Sequence, residues 1–327
     1  MTINHYPIPI NKPRVLIDTD AGVDDALALV FALRSPEITV EAITTVSGNV
    51  EVRKCTRNVL KVLSLLQPKR IPIVAEGAAK PLRRALVTAP EVHGRDGLGD
   101  VRGHHRVSGL SEATRRRATD VILDSCNRFG KKLTIVALGP LTNLAKAWRK
   151  DPHTLQKARH IVSMGGAFRV PGNTGPVAEF NYFVDPEAAE EVLTSGLPVR
   201  IVPLDATETV RLEWRDVKQM SVRYPSPLSQ FLVRCTKSYM TYHKRAAGFF
   251  GGFLHDPVAV AAACDPSLFE WRRAEVHVET QGVLTRGMSV ADFRWVGSRG
   301  TFVAIALGVR HKRILKMFRD RVWDERR

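Results

Sequence analysis

The stretch Val15 to Leu33, VLIDTDAGVDDALALVFAL, limits what this chain can fold into more than any other. An apolar run, Val15-Leu16-Ile17, leads into four aspartates within eight residues: Asp18, Asp20, Asp24 and Asp25. Apolar residues at helical spacing follow, at Ala26, Leu27, Leu29, Val30 and Leu33. The pattern predicts a strand, a tight turn at Ala21-Gly22, and then a helix. Asp24 and Asp25 fall at the helix N-terminus, where the dipole tolerates negative charge. Asp18 and Asp20 sit at the carboxyl end of the strand, where open α/β sheets place their sites. Carboxylates this crowded repel one another unless a cation or protons compensate. Hard oxygen ligands favour Ca²⁺ or Mg²⁺ over zinc. An EF-hand loop is excluded, because the residue five after Asp18 is Val23 and not glycine.

The rest of the chain supplies a scaffold for that turn. Apolar and β-branched segments at Thr39–Val46, Ile71–Ala75, Leu133–Leu138, Ile161–Met164 and Val199–Leu204 alternate with helical patterns. This alternation implies βαβ units, and hence an open, mostly parallel, doubly wound (Rossmann-like) α/β sheet with helices on both faces. The segments near Ala274–Glu279, Ser289–Trp295 and Thr301–Ala306 alternate polar with apolar, as antiparallel edge strands do. No repeat, linker or composition shift divides the 327 residues, so one domain is expected, preceded by a loose arm over residues 1–13. Thr142 reads as the N-cap of the helix after the strand at Leu133, and Asp185 as the cap before Pro186. Phe168–Asn181 reads as a loop, GFFGGF as a glycine-rich turn, and His255-Asp256-Pro257 as a lead-in to a helix over Val258–Ala263.

Composition narrows the class. The net charge of +16 raises the question of nucleic acid, but the basic residues are dispersed apart from short clusters at Arg115–Arg117 and Arg310–Arg313. With no zinc-ligand or RNA-binding signature, no nucleic-acid partner is expected. No window reaches the ~20 apolar residues of a membrane span, so no membrane partner is expected either. Four scattered cysteines without CxxC pairing suit a reducing, cytoplasmic setting. There is no GxSxG elbow and no Walker loop.

Polar residues collect where strands end: Asp18 and Asp20, Asn49, Thr142, the Asn173–Asn181 loop, and His255-Asp256. In a doubly wound sheet these ends share one edge and can converge. The motif DTDAGVDDALAL resembles the signature of the inosine–uridine-type nucleoside hydrolases, usually DTDPGxDDAxAL. TVSGN, HGRDGLG, GPLTN, MGGAF with the later GN and AEFN, and HDP agree in order over most of the chain. One departure is Ala21 in place of the usual proline, which costs turn rigidity but no ligand.

The resemblance implies a ribonucleoside substrate and a Ca²⁺ held by Asp20, Asp25, Asp256 and the Thr142 carbonyl, completed to ~6–8 oxygens by waters and sugar hydroxyls. It implies that Asp24, Asn49, Asn173, Glu179 and Asn181 hold the ribose, with Met164 against the sugar and Asp18 as a support. The metal would acidify a water, with Asp20 as general base. C–N cleavage would pass through an oxocarbenium-like ribosyl group, with His255 serving the leaving base and His93 touching substrate from its loop. Tyr239, His243 and Arg245 are candidates for the base pocket, with a lean towards inosine and guanosine over pyrimidine or unselective hydrolysis. A homodimer or homotetramer is also implied. Two readings of other classes remain at this stage. Asp18-Thr19-Asp20 also suits a haloacid-dehalogenase-type phosphohydrolase with Asp18 as nucleophile. The basic charge also suits a non-enzymatic nucleoside or nucleic-acid binder.

Overall fold

A computed structural model describes residues 12–101, 116–294 and 300–324. The arm expected over residues 1–13 lies almost wholly outside these, as do Arg115 and Trp295. The strands are β1 (Arg14–Thr19), β2 (Thr39–Thr45), β3 (Ile73–Glu76), β4 (Leu133–Ala137), β5 (His160–Met164), β6 (Val199–Val202), β7 (Arg211–Glu213), β8 (Gly251–Phe253), β9 (Phe269–Val278), β10 (Ser289–Asp292) and β11 (Phe302–Val309). Nine of them form one sheet in the order β10-β9-β11-β6-β5-β4-β1-β2-β3. Pairing is parallel from β3 through β11, and β9 and β10 add an antiparallel edge. This is the open, mostly parallel α/β sheet that the alternating pattern predicts.

Strand alternation divides the core in two. Val15 and Ile17 pack into one apolar cluster, with the helices Val23–Leu33, Val52–Leu66, Pro227–Ala246, His255–Cys264 and His311–Val322. Leu16 faces the other cluster, with the helices Ala118–Phe129, Thr142–Lys150 and Pro186–Thr194. A central strand covered on both faces reads as a continuous apolar run, which is why Val15-Leu16-Ile17 stands out in the sequence. The helix Val23–Leu33 is buried on nearly every side, against the helices His255–Cys264 and His311–Val322. The order reverses between β1 and β4, and crevices of this fold open at that switch point.

Several local readings need correction. Leu141, not Thr142, caps the helix Thr142–Lys150; the Thr142 hydroxyl instead donates to Asp185 Oδ2 at 2.6 Å. A helix, Phe180–Val184, begins at the last two residues of the expected loop and runs past it, capped by the Glu179 side chain, and is too short to show periodicity. Gly251–Phe253 of GFFGGF is β8, paired with β7 in a separate small sheet. His255 opens its helix rather than preceding it, because Pro257 sits in the first turn, where its missing N–H breaks no bond. β6 ends at Val202, and Leu204–Thr207 is a short helix that includes Asp205. Asp185 caps Pro186–Thr194 as expected, accepting from the Ala188 N–H. No helix among the described residues is long and apolar enough to cross a membrane.

The helix His311–Val322 is tied to the Val23–Leu33 helix by a buried ion pair. Arg321 donates to Glu37 Oε1 at 2.6 Å and to Ser35 Oγ at 3.0 Å, and its guanidinium lies over the Phe31 ring. Removing one partner of such a pair leaves the other charge buried without compensation. Arg321→Leu is therefore expected to lower unfolding stability by about 3 kcal/mol. A urea midpoint equal to that of the parent would contradict this.

Candidate active site

The turn after β1 gathers the acids. Asp18 is fully buried; Thr44 and Asn143 donate to its Oδ1 at 2.6 and 2.8 Å, and burial pushes its carboxyl up to about 7. Asp20 Oδ2 accepts from the Asn49 backbone N–H at 2.7 Å. The Asn49 side-chain amide bridges Asp20 and Asp25, donating to one oxygen of each at 3.1 Å. Asp25 also accepts from the Gly22 N–H at 2.7 Å and from the Thr19 hydroxyl, which locks the start of the helix Val23–Leu33. Asp256 arrives in the first turn of its own helix. Ligand oxygens of Asp24, Asp25 and Asp256 lie within 4.8 Å of one another. Asp24 thus stands in the tight triple where the sequence reading places Asp20, and Asp20 joins it through Asn49.

Burial, and after it the neighbouring carboxylates, hold Asp20, Asp24 and Asp256 well above the ordinary carboxylate range. Asp25 is raised by burial as well. Among the described residues no Lys or Arg pairs with these four; the ion-pair contact is His93, with Nδ1 at 3.8 Å from Asp24 Oδ1. One Asp24 oxygen is buried without a hydrogen bond. Crowded, buried, hard oxygen donors short of positive charge fit a divalent cation of the Ca²⁺ or Mg²⁺ kind. Thr142 is brought to the same edge, since its neighbour Asn143 donates to Asp18.

Above the acids opens a cleft of about 360 Å³. Asp24, Asn49, Met164, Asn173, Glu179 and Asn181 line it together with Asp256, whereas Asp20, Asp25 and Thr142 do not; Asp25 borders it through Asp24 and Asp256, with ligand oxygens within 4.8 Å of theirs. The sugar candidates are oriented by the backbone. Glu179 accepts from the N–H groups of Asn181, Gly166 and Tyr182 at 2.8, 3.1 and 3.2 Å. Burial raises the Glu179 carboxyl to about 7, and those three N–H groups pull against it. Asn181 Nδ2 donates to the Leu138 and Met164 carbonyls at 2.8 and 3.1 Å, which leaves the side-chain oxygen for a ligand hydroxyl. Asn173, exposed at the rim, accepts from the Phe180 N–H at 2.9 Å.

Three histidines line the same cleft. His93 Nδ1 accepts the Val23 N–H at 3.1 Å, so the neutral ring carries its proton on Nε2. His255 Nδ1 shares a 2.7 Å hydrogen bond with Thr207 Oγ1. His243 Nε2 is buried without a partner. Burial first, then the other imidazoles, holds His93 and His255 down at about 3, and burial holds His243 at about 4. All three are neutral, and serve as hydrogen-bonding groups rather than standing cations.

Two base-pocket candidates behave differently from expectation. Tyr239 lines the cleft, but its hydroxyl donates to the Phe253 carbonyl at 2.9 Å. Arg245 is exposed and is not among the cleft residues, because its position on the helix Pro227–Ala246 turns it away from the face that carries His243. Sequence reasoning missed Phe253, Tyr242, Glu91 and Glu208, which also line the cleft. The aromatic content of GFFGGF was the available signal for Phe253; Glu208 has none.

A family model described as inosine-uridine preferring nucleoside hydrolase matches residues 15–316. The chain belongs to that family. This nucleoside hydrolase is 38% identical over 309 residues to the pyrimidine-specific ribonucleoside hydrolase RihA of Escherichia coli, across 94% of this chain and 97% of that one. Its fold matches the plant nucleoside hydrolase PpNRh1 with a TM-score of 0.86 and 35% identity, over 95% of this chain and 99% of that one. It matches the purine-preferring ribonucleoside hydrolase from Gardnerella vaginalis with a TM-score of 0.85 and 32% identity, over 94% and 98%. It is an N-glycosyl hydrolase by family. One relative is named for pyrimidines and another for purines, so membership alone leaves the base open.

The phosphohydrolase alternative fails on geometry. Asp18, its required nucleophile, is fully buried, held by Thr44 and Asn143, and absent from the cleft wall.

Proposed function

We propose that this protein, acting from one domain, hydrolyses the N-glycosidic bond of ribonucleosides to free base and ribose in a Ca²⁺-dependent reaction, preferring the 6-oxopurine nucleosides inosine and guanosine. The observation that carries the reading is one cleft with two kinds of lining. Amide and carboxylate oxygens of Asp24, Asn49, Asn173, Glu179 and Asn181 line it beside the Asp24–Asp25–Asp256 cluster, and so do the aromatic and histidine side chains Tyr239, Tyr242, Phe253, His93, His243 and His255.

Asp20, Asp25, Asp256 and the Thr142 carbonyl would hold the ion. A bound Ca²⁺ supplies positive charge that orients and acidifies the attacking water. Asp20, fixed by the Asn49 N–H, accepts that water's proton as the oxygen attacks the anomeric carbon. The C–N bond breaks with its electrons going to the base, and the ribosyl group becomes oxocarbenium-like. Glu179 and the Asn181 side-chain oxygen face that developing positive charge. His255 serves the departing base: in the tautomer in which Nδ1 accepts from Thr207, its Nε2–H is free to hydrogen-bond it. His93 offers a second Nε2–H from its loop.

The unpartnered His243 Nε2 supports an oxo-bearing base, because a buried imidazole nitrogen without a partner gains most from a ligand that supplies one. His243→Ala is expected to lower kcat/KM for inosine and guanosine by about tenfold, with a smaller change for adenosine. Steady-state rates on inosine, guanosine, adenosine, uridine and cytidine check this, and a uridine preference would overturn the purine lean. The pyrimidine reading is second, supported by the likeness to RihA. We further propose a homodimer or homotetramer in the cytoplasm; the four cysteines carry no disulfide, as a reducing compartment requires.

A further inference from the structure

The turn that carries Asp20 is strained. Ala21 has φ +44°, in the left-handed region that residues with a Cβ rarely occupy. Such a conformation persists only where surrounding bonds over-determine it. The bonds come from the helix Val52–Leu66, no residue of which lines the cleft. Cys55 Sγ donates to the Asp20 carbonyl at 3.0 Å, and Asn58 Nδ2 donates to the Ala21 carbonyl at 3.0 Å. The second hydrogen of the same amide reaches the Asp96 carbonyl at 2.8 Å, in the loop that follows His93.

That loop is rigid in itself. The Gly99 N–H donates to the His93 carbonyl at 2.7 Å, and Asp96 Oδ1 accepts from the Leu98 and Asp100 N–H groups at 2.7 and 2.9 Å. His93 returns to the turn by accepting from the Val23 N–H. Asn58, Ala21, Val23, His93 and Asp96 therefore close a ring of contacts, and Asn58 is the member that spans turn and loop from outside the cleft.

We infer that Asn58 is a positioning residue whose single amide sets the turn bearing Asp20 and the loop bearing His93 in register, with Cys55 as a second brace on the same turn. The inference rests on the proposed nucleoside hydrolysis. Loosening the brace shifts Asp20 and His93 while Glu179 and Asn181, on another segment, keep their grip on the sugar. The effect should therefore fall on kcat and not on KM.

The test measures kcat and KM for inosine and uridine with the parent, Asn58→Asp, Asn58→Ala, Gly97→Ala and Thr56→Val proteins in the presence of Ca²⁺. Asn58→Asp keeps the shape but presents oxygen to two carbonyls. A Cβ at Gly97 would lie 2.7 Å from Asn58 Nδ2 and 3.0 Å from Val50 Cγ2, and Gly97 has φ +86°, so Gly97→Ala disturbs the brace from the loop side together with the loop backbone, and it serves if the Asn58 variants fail to fold. Thr56, two residues before Asn58 in the same helix, bonds Thr45 and Glu76 instead, so its variant loses stability without touching the turn. Loss of the brace is expected to lower kcat by about tenfold or more, with KM within about threefold, in the Asn58 and Gly97 variants, and to leave kcat of Thr56→Val within about twofold. Parent-like kcat in Asn58→Asp and Gly97→Ala overturns the inference alone. A parent protein that cleaves no ribonucleoside overturns the shared reading and the inference with it.

Discussion

Replacing Asp20 with alanine is expected to lower kcat by about 10³-fold or more, with KM changing only a few-fold. Three roles meet in this carboxylate. It is the candidate base for the attacking water, a candidate ligand of the cation, and the acceptor that holds the Asn49 backbone in place. The proposed sugar contacts are on other cleft residues, Glu179, Asn181 and Asn173, so ground-state binding is expected to survive while the step that needs a base is not. Asp20→Asn is the sharper variant, since it can keep the contact with Asn49 but cannot take a proton at neutral pH. Turnover within about tenfold of the parent in either variant would remove Asp20 from the base role.

The second large effect links pH to the cation. Without metal, burial pushes Asp18 and Glu179 up to about 7 in the fold, from ordinary values of 3.8 and 4.5, and holds Asp20, Asp24 and Asp256 well above the ordinary carboxylate range. The folded state therefore keeps protons that the unfolded chain has released. Their contribution to stability is complete below the unfolded pKa and is lost as pH rises through the folded one. His93, His243 and His255 act in the opposite sense, because they are held neutral and their contribution is lost as pH falls below their ordinary 6.5. Above about pH 7.5 the contribution of these three histidines is nearly complete, and the raised acids still change, as does His277, raised above 6.5 first by its hydrogen bond to Glu190 and acting in the same sense as the acids. Chelated protein is thus expected to lose melting temperature from pH 6.5 to 8. Ca²⁺, which competes with those protons, should restore it, by about 5 °C at pH 8 and by less at pH 5.5. Calorimetric scans with Ca²⁺ and with chelator read the difference directly. A Ca²⁺ shift that is absent, or larger at pH 5.5, would contradict a proton-competing cation on these carboxylates.

The scaffold of this site is readable in the sequence because it obeys simple periodicities. Val15-Leu16-Ile17 is continuous since both faces are covered, and Ala26, Leu27, Leu29, Val30 and Leu33 repeat at helical spacing. The strand-end pattern pointed to Asn49, the Asn173–Asn181 loop and His255-Asp256 as a converging set, whereas the individual roles of Asp24, Asn49, Glu179, Asn181 and Asp256 came from the family resemblance. What escaped notice has a common cause: its meaning depends on long-range contact. Glu179 is both a helix cap and a cleft acid, and the helix it caps is only Phe180–Val184. Thr142 caps nothing, because Asp185, 43 residues later, takes its hydroxyl. Tyr239 looked like a base contact until Phe253 claimed its hydroxyl. Asn58 sits on an ordinary amphipathic helix, and only the fold shows that one amide serves the Asp20 turn and the His93 loop.

One cleft, bordered by cation-binding carboxylates, is expected to cleave the bond between a ribose and a base. Incubating the purified protein and Ca²⁺ with inosine and uridine, and measuring free base and reducing sugar together with a phosphomonoester as control, tests this directly. Equal amounts of base and ribose from at least one nucleoside, loss of turnover with chelator, and no phosphate from the monoester are expected. Nucleosides recovered intact in the presence of Ca²⁺, or base released without ribose, would contradict it.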